Sequence, residues 1–411
     1  MTIRINAARL QDRLRDLAQI GATAGGGVTR LALTDEDRAG RDLLVSWLRA
    51  AGLTVRVDDF GNIVGRRAGG SGDPVLLGSH IDTVRRGGRY DGALGVLGAL
   101  EVIETLNDGG IATERPIEVV NWTNEEGVRF EPAMTCSGAV FGRFERDYVY
   151  ERQDRDGLRF EDELRRIGYL GDAARRPATA SAYLELHIEQ GPVLEAAGAS
   201  VGVVEGIVGI TWSEVTWTGQ ADHAGPSPMR LRRDALGAAA RLVTAVEVIA
   251  LRDDDPTVAT VGRIVAEPNV INTIPGKVVM SVDFRNLDGE RLDGMVAELE
   301  AAVAEIAART GVEGSVNRFW TSEPTPFAPE VVATVAQACT GLDLPIHRLW
   351  SGAGHDAKYI AGGTAAGMIF VRSQGGLSHC EAEFSDPADI DAGANVLLHA
   401  TRALAGTDGP A

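Results

Sequence analysis

Cysteine is scarce in this sequence of 411 residues, and the three that occur, Cys136, Cys339 and Cys380, form no CxxC pair. An odd number of widely spaced cysteines excludes a disulfide framework and is typical of a reducing compartment. The sequence also lacks a run of about 18 apolar residues, so no membrane-spanning helix is expected. These absences favour a cytoplasmic protein.

The N-terminal segment lacks the continuous apolar core of a signal peptide. Leu10, Leu14, Leu17 and Ile20 instead recur at helical intervals. We therefore expect an amphipathic helix that belongs to the folded structure.

Positive charge and aromatic residues are also limited. Lys and Arg number 40 against 58 Asp and Glu, a formal net charge of -18, and aromatics make up 5% of the residues. A surface of this sign repels polyanions, which excludes binding of nucleic acid or an anionic membrane through bulk charge. Hydrophobic residues at 44% suffice for buried cores, and at roughly 100 to 200 residues per domain the length predicts two to three domains.

The pattern of apolar residues divides the chain into two kinds of region. In residues 1–207 and 323–411, helical periodicity alternates with short apolar segments such as PVLLGS, IEVVNWT and AYLELHI, which lack strict alternation. Such strands are typical of a sheet covered by helices on both faces, so we predict a discontinuous α/β domain. Thr34 followed by Asp37 is a capping-box signal that begins one of its helices.

Residues 208–322 show a different order of elements. Their strand-like and helical segments follow one another as β-α-β-β-α-β. This order predicts an inserted α+β domain, with helices on one face of an antiparallel sheet.

Histidines and acids follow several of the apolar segments. His80 and Asp82 follow PVLLGS, and His187 lies near the end of AYLELHI. Glu125 and Glu126 follow IEVVNWT as adjacent acids. Because the ends of strands in open α/β sheets carry binding sites, we expect these side chains to lie at one edge of the sheet.

Two further residues extend this set. Asp91 lies in a Gly-rich turn before a helix, where a carboxylate can cap the helix and could also bridge two cations. His379 lies in the segment GLSHCEAEFS near the C-terminus. Imidazoles and carboxylates without a thiolate cluster suit Zn²⁺, Mn²⁺, Co²⁺ or Ni²⁺. Such a centre can polarise a carbonyl and acidify a water, so hydrolysis is the predicted reaction class.

Each of these residues also has a purely structural interpretation. His-x-Asp is a common pair, Asp91 could simply be a helix cap, and adjacent acids on a surface are usually only solvated. At the end of a buried strand, however, two acids are costly unless each has a function, such as a metal ligand and a general base.

The ordered motifs of the chain resemble one family over essentially its whole length. They are GSHIDTVRRGGRYDGALGV, NEEGVRF, LELHIEQGPVLE, ADHAGPSPMRLRRD, NVINTIPG, VDFRN, SGAGHDA and FVRSQGGLSHCEAEF. This set resembles the amidase/hydantoinase/carbamoylase branch of the M20 metallopeptidase family, which includes N-carbamoyl-L-amino-acid hydrolase, allantoate amidohydrolase and β-ureidopropionase.

The resemblance implies two divalent metal ions per subunit, with zinc favoured. It implies that His80, Asp91 and His187 hold one ion. It further implies that Asp91, Glu126 and His379 hold the second, so that Asp91 bridges the two.

The resemblance also assigns the remaining catalytic roles. Glu125 would be the general base, taking a proton from the attacking water and passing it to the leaving nitrogen, and Asp82 would orient His80. His223, on an inserted lid domain that also forms a homodimer, would stabilise the tetrahedral intermediate.

Other positions match residues of the family that contact the substrate. They are Gln190, His223, Asn272, Arg285, Gly354 and His355. The guanidinium of Arg285 suits a substrate carboxylate, which it can hold by two parallel hydrogen bonds. Without the resemblance, Arg285 would be interpreted as a surface arginine on a strand. His347 and His399 match no motif and are interpreted as structural.

The function that the resemblance implies is hydrolysis of an N-carbamoyl-L-amino acid, a small molecule with a carboxylate. Allantoate amidohydrolase and β-ureidopropionase remain alternatives, and a dipeptidase or N-acyl-amino-acid hydrolase is less favoured. A catalytically silent binding protein is disfavoured because Glu125 and every ligand are present. Catalysis by a serine nucleophile is disfavoured, because the sequence lacks a GxSxG motif. A cysteine nucleophile, Cys136 or Cys380, remains an alternative.

Overall fold

The computed structural model describes residues 3–177, 180–252 and 257–407. The helices are α1 (Ala7–Ala18), α2 (Asp35–Ala50), α3 (Ala93–Asp108), α4 (Thr135–Val140), α5 (Arg146–Tyr150), α6 (Phe160–Arg166), α7 (Val193–Ala197), α8 (Ala235–Ala250), α9 (Gly289–Thr310), α10 (Pro329–Gly341), α11 (Ala357–Ile360) and α12 (Pro387–Ala405). The strands are β1 (Thr54–Val57), β2 (Ile63–Arg67), β3 (Val75–His80), β4 (Ile117–Trp122), β5 (Ala182–Ile188), β6 (Val201–Ile207), β7 (Gly209–Thr218), β8 (Asp222–His223), β9 (Val258–Thr260), β10 (Ile264–Glu267), β11 (Thr273–Ile274), β12 (Lys277–Asn286), β13 (Glu313–Ser322), β14 (Thr325–Pro326), β15 (Arg348–Ser351) and β16 (Ala366–Val371).

Two compact units make up the chain. Unit 1 comprises Met1–Gly206 and Pro326–Ala411, and unit 2 comprises Ile207–Thr325. These limits lie next to the boundaries expected at residues 208 and 322. The catalytic and lid roles expected for the two regions remain predictions.

Unit 1 is built on a mixed sheet whose strands run in the order β1-β2-β4-β3-β5-β16-β6. The central strands β4, β3, β5 and β16 are mutually parallel, whereas β2 and β6 flank them in antiparallel orientation. Every residue of these four central strands is buried. Burial on both faces explains why their sequences lack alternation.

Helices cover this sheet. Helix α3 packs against β3 and β5, and α12 packs against β16. Helix α2 begins at the expected cap, since the hydroxyl of Thr34 accepts a hydrogen bond from the backbone N–H of Asp37. Helix α1 buries Leu10, Leu14 and Leu17 as predicted, but it ends at Ala18, so Ile20 lies in the turn beyond it.

Unit 2 is an antiparallel sheet with helices on one face. The strand order is β10-β12-β7-β13, and β9 also pairs with β12. Alternate residues of β7 and β12 point into a core with α8 and α9, which includes Trp217, Leu242, Phe284 and Leu299. The α/β unit and the inserted α+β unit confirm the predicted fold class.

Two local features of unit 2 differ from the prediction. The segment TVATVGRIVAE, counted as one strand in the expected order, forms two short strands, β9 and β10. Both pair with β12, but the three residues between Thr260 and Ile264 lie opposite only two residues of β12, which interrupts the regular pairing. A small two-stranded sheet, β8 with β11, was not anticipated and pairs His223 with Thr273. Among the described residues, no helix is long and apolar enough to cross a membrane.

Candidate metal centre

The centre lies at the carboxyl ends of the parallel strands of unit 1. His80 is the last residue of β3, and His187 lies one residue before the end of β5. Glu125 and Glu126 lie just beyond β4, and His379 lies in the segment between β16 and α12. The shared direction of the strands therefore brings the residues expected at one edge into one cluster.

Asp91 lies between two groups of ligand atoms. Its Oδ1 is 3.7 Å from Nε2 of His80 and 3.2 Å from Nε2 of His187. Its Oδ2 is 3.4 Å from Nε2 of His379, which in turn is 3.5 Å from Oε2 of Glu126. Each carboxylate oxygen of Asp91 thus faces a different group.

These distances suit metal ions. Ligand atoms about 2.1 Å from a tetrahedral ion lie about 3.4 Å apart, close to the separations around Asp91. Among the described residues, three sets of possible ligands have donor atoms within 4.8 Å of one another. Two of them share Asp91: His80 with Asp91 and His187, and Asp91 with Glu126 and His379. The third, Glu185 with His187 and His355, shares His187 with the first. The donor set therefore fits divalent cations.

Both buried histidines are oriented by backbone oxygens. Nδ1 of His80 is 2.9 Å from the carbonyl oxygen of Asp82, and Nδ1 of His187 is 2.9 Å from that of Ile188. In the neutral form of each ring, a proton on Nδ1 makes the hydrogen bond and leaves the Nε2 lone pair facing Asp91. This arrangement is typical of metal-binding histidines.

Asp82 acts at this site in two ways. Its backbone carbonyl accepts the hydrogen bond from His80, while its Oδ1 lies 3.9 Å from that ring. Its carboxylate accepts hydrogen bonds from the backbone N–H groups of Glu125, at 3.2 Å, and of Glu126, at 3.3 Å. The side chain of Asp82 therefore holds the two adjacent acids, and its main chain holds His80.

Glycine is required at position 92, next to Asp91. The backbone φ of Gly92 is +63°, and a Cβ atom there would lie 2.4 Å from the ring of His80. No side chain fits this close approach, and a left-handed backbone also favours glycine. The sequence showed a Gly-rich turn here, but not which glycine was needed.

The electrostatics show an excess of buried negative charge. Burial and the charges of Asp356 and Glu126 raise the pKa of Glu125 well above its usual value. Burial and the charge of Asp91 do the same for the pKa of Glu126. Divalent cations would offset this charge, which again fits the donor set.

Burial and hydrogen bonds shift the pKa values of the other groups. Burial lowers the pKa of His80 to about 4. Burial alone would also lower the pKa of His187, but its hydrogen bond to Asp91 raises it to about 9. Burial would raise the pKa of Asp91, yet hydrogen bonds with His187 and His379 hold it well below its usual value.

Three of the expected substrate-binding residues lie in unit 1. The side-chain amide of Gln190 donates a 2.9 Å hydrogen bond to Oδ2 of Asp91, so Gln190 adjoins the centre. The buried ring of His355 packs edge-on against His187 at 4.5 Å between centroids. Gly354 approaches Met134, whose Cε would be 2.9 Å from an added Cβ.

The other expected substrate-binding residues lie in unit 2. His223 and Asn272 are neighbours there, since the backbone N–H of Ala224 donates a 3.0 Å hydrogen bond to the carbonyl oxygen of Asn272. Arg285 lies on β12, where its Nη2 is 2.9 Å from Oδ2 of Asp283. Asp283 thus orients the guanidinium, a contact that the sequence pattern did not reveal.

The sequence interpretation also missed buried acids around the centre. Glu383 accepts hydrogen bonds from the backbone N–H groups of Tyr90 and Asp91. Glu185, on β5, accepts hydrogen bonds from the hydroxyls of Ser79 and Tyr183. Glu185 is an acid between two apolar residues in LELHIEQ. An acid in a strand that is predicted to be buried is costly, and this pattern could have identified Glu185 from the sequence.

The cysteine alternative finds no support at Cys136. This thiol is buried, and burial raises its pKa well above the usual range, so the reactive thiolate is disfavoured. Cys380 is partly exposed beside His379. Nε2 of His399 donates a 3.0 Å hydrogen bond to the backbone carbonyl oxygen of Ile3, in line with a structural role.

Comparison with known proteins places this geometry in a family. Residues 76–403 match the model of peptidase family M20/M25/M40. The chain is 45% identical to an N-carbamoyl-L-amino-acid amidohydrolase of Rhizobium meliloti, with 97% of this chain and 96% of that one covered. It is 35% identical to an allantoate amidohydrolase of Bacillus subtilis, with 94% and 95% covered.

Solved structures give the same result. An amidase of the hydantoinase/carbamoylase family from Burkholderia multivorans superposes with a TM-score of 0.96 at 49% identity, covering 98% of both chains. The chain therefore belongs to peptidase family M20/M25/M40 and, within it, to the hydantoinase/carbamoylase family of amidases. Membership confirms the family resemblance and the prediction of a metal-dependent hydrolase.

Proposed function

We propose that this protein hydrolyses N-carbamoyl-L-amino acids, giving the amino acid, CO₂ and ammonia. The observation that carries the proposal is the position of Asp91 between two sets of metal-ligating side chains, in a chain 45% identical to an amidohydrolase of that name. Water adds to the carbamoyl carbon, a C–N bond breaks, and the carbamic acid loses CO₂.

Two divalent ions per subunit are part of the proposal, with zinc the favoured metal. His80, Asp91 and His187 would hold one, and Asp91, Glu126 and His379 would hold the other. When bound, the ions supply Lewis acidity that polarises the carbonyl and acidifies water.

Glu125 moves the proton in this proposal. Its Oε2 lies 3.5 Å from Nε2 of His80, so the carboxylate borders the first ligand set without being one of its members. It accepts a proton from the attacking water and delivers it to the leaving nitrogen. Asp82 fixes the backbone of Glu125, and His223 donates to the oxyanion that develops on the carbonyl oxygen.

The substrate carboxylate is bound by Arg285 in this proposal. Asp283 accepts hydrogen bonds from Nε and Nη2 of Arg285 and so fixes the orientation of the planar guanidinium. Gln190, Asn272, Gly354 and His355 complete the substrate contacts. We further propose that the protein is cytoplasmic and forms a homodimer through unit 2, which acts as a lid.

Arg285→Lys tests the carboxylate contact. Losing a charge-assisted, two-point hydrogen bond of about 1.5–3 kcal/mol should lower kcat/KM for N-carbamoyl-L-amino acids by roughly 10- to 150-fold. The matching amides, in which a carboxamide replaces the carboxylate, should be hydrolysed nearly as before. Arg263→Lys is the control, because Arg263 pairs with Glu214 on the same unit. An equal loss on acids and amides would contradict the assignment.

The alternative functions use the same ligands and base. Allantoate hydrolysis is supported by the relative from Bacillus subtilis at 35% identity, below the 45% of the N-carbamoyl-L-amino-acid amidohydrolase from Rhizobium meliloti. β-Ureidopropionase activity differs in placing the carboxylate one carbon further from the ureido nitrogen.

The decisive experiment offers purified, metal-loaded protein several substrates side by side. N-carbamoyl-L-amino acids, N-carbamoyl-β-alanine and allantoate are compared by ammonia release, with and without a chelator. We expect turnover of the N-carbamoyl-L-amino acids, its loss with chelator and its return on adding metal. Turnover of allantoate alone would replace the proposal with its alternative, and turnover that resists chelation would refute the metal mechanism.

A further inference from the structure

We propose that Glu383 is a positioning residue that ties the loop of the bridging ligand Asp91 to the loop of His379 and thereby retains the second metal ion. The inference rests on the proposed two-metal centre. It concerns a residue that is not itself a member of either ligand set.

Glu383 makes contacts in two directions. Its Oε1 accepts hydrogen bonds of 3.2 Å from the backbone N–H groups of both Tyr90 and Asp91. Its Oε2 accepts a 2.8 Å hydrogen bond from the hydroxyl of Ser378, the residue before His379. One carboxylate therefore joins two ligand-bearing segments that are almost 290 positions apart.

The segment before Asp91 is shaped around this carboxylate. Glu383 is only 4% exposed. A Cβ atom on Gly88 would lie 1.8 Å from its Oε1, so the backbone of this turn packs directly on the carboxylate. Burying an acid in this way is costly unless hydrogen bonds compensate it, and here they come from the two loops.

The second metal site depends on this link more than the first. His80 and His187 lie in fully buried strands, which fix their positions. His379 lies outside the regular elements, its side chain is 53% exposed, and its backbone φ is +55°. A non-glycine residue is held in the left-handed region only by its surroundings, and the Ser378 contact with Glu383 is part of them.

Gln190 contacts the same two loops. Its side-chain amide donates to Oδ2 of Asp91 at 2.9 Å and approaches the hydroxyl of Ser378 at 3.3 Å. Gln190 therefore reinforces the link but cannot replace Glu383, because it contacts neither backbone N–H group of the Asp91 turn.

Three variants separate the parts of this link. Glu383→Ala removes it completely. Glu383→Gln should retain much of it, since an amide oxygen can accept from the two N–H groups while the amide nitrogen donates to Ser378. Ser378→Ala keeps the hydrogen bonds from the Asp91 turn to Glu383 but removes the contact of Glu383 to the His379 loop. It also removes the longer contacts of the Ser378 hydroxyl to Gln190, at 3.3 Å, and to Oδ2 of Asp91, at 3.4 Å. It should act in the same direction as Glu383→Ala, but less.

The measurement is a titration of metal-free protein with Zn²⁺ against a chromophoric chelator, which resolves two binding constants. Glu383→Ala should weaken one constant by about 10- to 100-fold, the usual cost of losing a residue that supports a metal ligand. The other constant should change by less than about threefold. His379→Ala identifies which constant belongs to the second site.

Glu381→Gln is the matched control. Glu381 lies two residues away and also accepts side-chain hydrogen bonds, from Arg86 and Thr23, but it contacts neither Asp91 nor Ser378. Both constants of this variant should equal those of the parent. Thermal unfolding of the metal-free variants checks that they fold alike.

The outcomes are distinct. Unchanged constants in folded Glu383→Ala would overturn the inference, and so would an equal weakening of both sites with a lower unfolding temperature. If Glu383→Ala does not fold, Ser378→Ala decides: unchanged constants overturn the link. A parent protein that binds fewer than two ions would instead refute the proposed function on which the inference rests.

Discussion

Glu125→Gln should lower kcat by about 10²- to 10⁴-fold, the usual contribution of a general base, while both metal ions stay bound. Glutamine has the shape of glutamate but cannot accept a proton from water. Because Glu125 lies outside both ligand sets, its replacement leaves each set complete. Steady-state kinetics together with metal content by mass spectrometry would measure both parts of this result.

Glu126→Gln is the natural companion to that variant. The two acids are adjacent and both are held by Asp82, so the variants differ only in which carboxylate is removed. Glu126→Gln should weaken metal binding at the site that contains His379. If Glu125→Gln also lost its metal, the division of roles between the two acids would be wrong.

The sequence predicted that the side chains of the candidate metal centre lie at one edge of the sheet because a local rule covers most of them. A histidine at the end of a buried parallel strand, as at His80 or His187, must lie at the carboxyl edge of the sheet. Adjacent acids after β4 lie at the same edge for the same reason. The shared direction of the strands was therefore sufficient to predict that most of these side chains lie together.

The details that the sequence could not provide depend on long-range placement. Two acids, Glu381 and Glu383, follow His379 at similar distances, yet only the second turns inward to Asp91. The pairing of His223 with Thr273 joins segments about fifty residues apart in short strands that lack a periodic pattern. Hydrogen bonds to backbone atoms, such as that from His80 to the carbonyl of Asp82, leave no trace in side-chain identity.

The strands of unit 2 also show what the sequence could and could not predict. The long, strictly alternating β12 was predictable because each alternate residue enters the core. The segment from Val258 to Glu267 also alternates weakly, but one extra residue in its middle interrupts the pairing with β12, so that it forms two strands. Alternation predicts which face a residue occupies, and it does not predict where pairing is interrupted.

Asp91→Ala should have the widest effect on the centre, because Asp91 contributes one oxygen to each ligand set. Each set would keep two side chains, fewer than the three or four that hold zinc in proteins. We expect affinity at both sites to fall by at least about 10²-fold, above the loss caused by a residue that only supports a ligand. Hydrolysis should fall with it.

Metal content after dialysis against a buffered metal solution measures this result, and circular dichroism checks the fold. Asp91→Asn provides the control for size, since it retains the volume and can still accept the hydrogen bond from Gln190 while carrying no charge. The number of ions lost shows whether Asp91 binds both ions or only one. A bridging carboxylate supports both ions, so both must weaken together; loss of one ion with the other retained would make Asp91 a ligand of one site only. Glu383→Ala removes contacts of the Asp91 turn and of the His379 loop but no ligand atom, so it should by contrast weaken a single site, the one that contains His379.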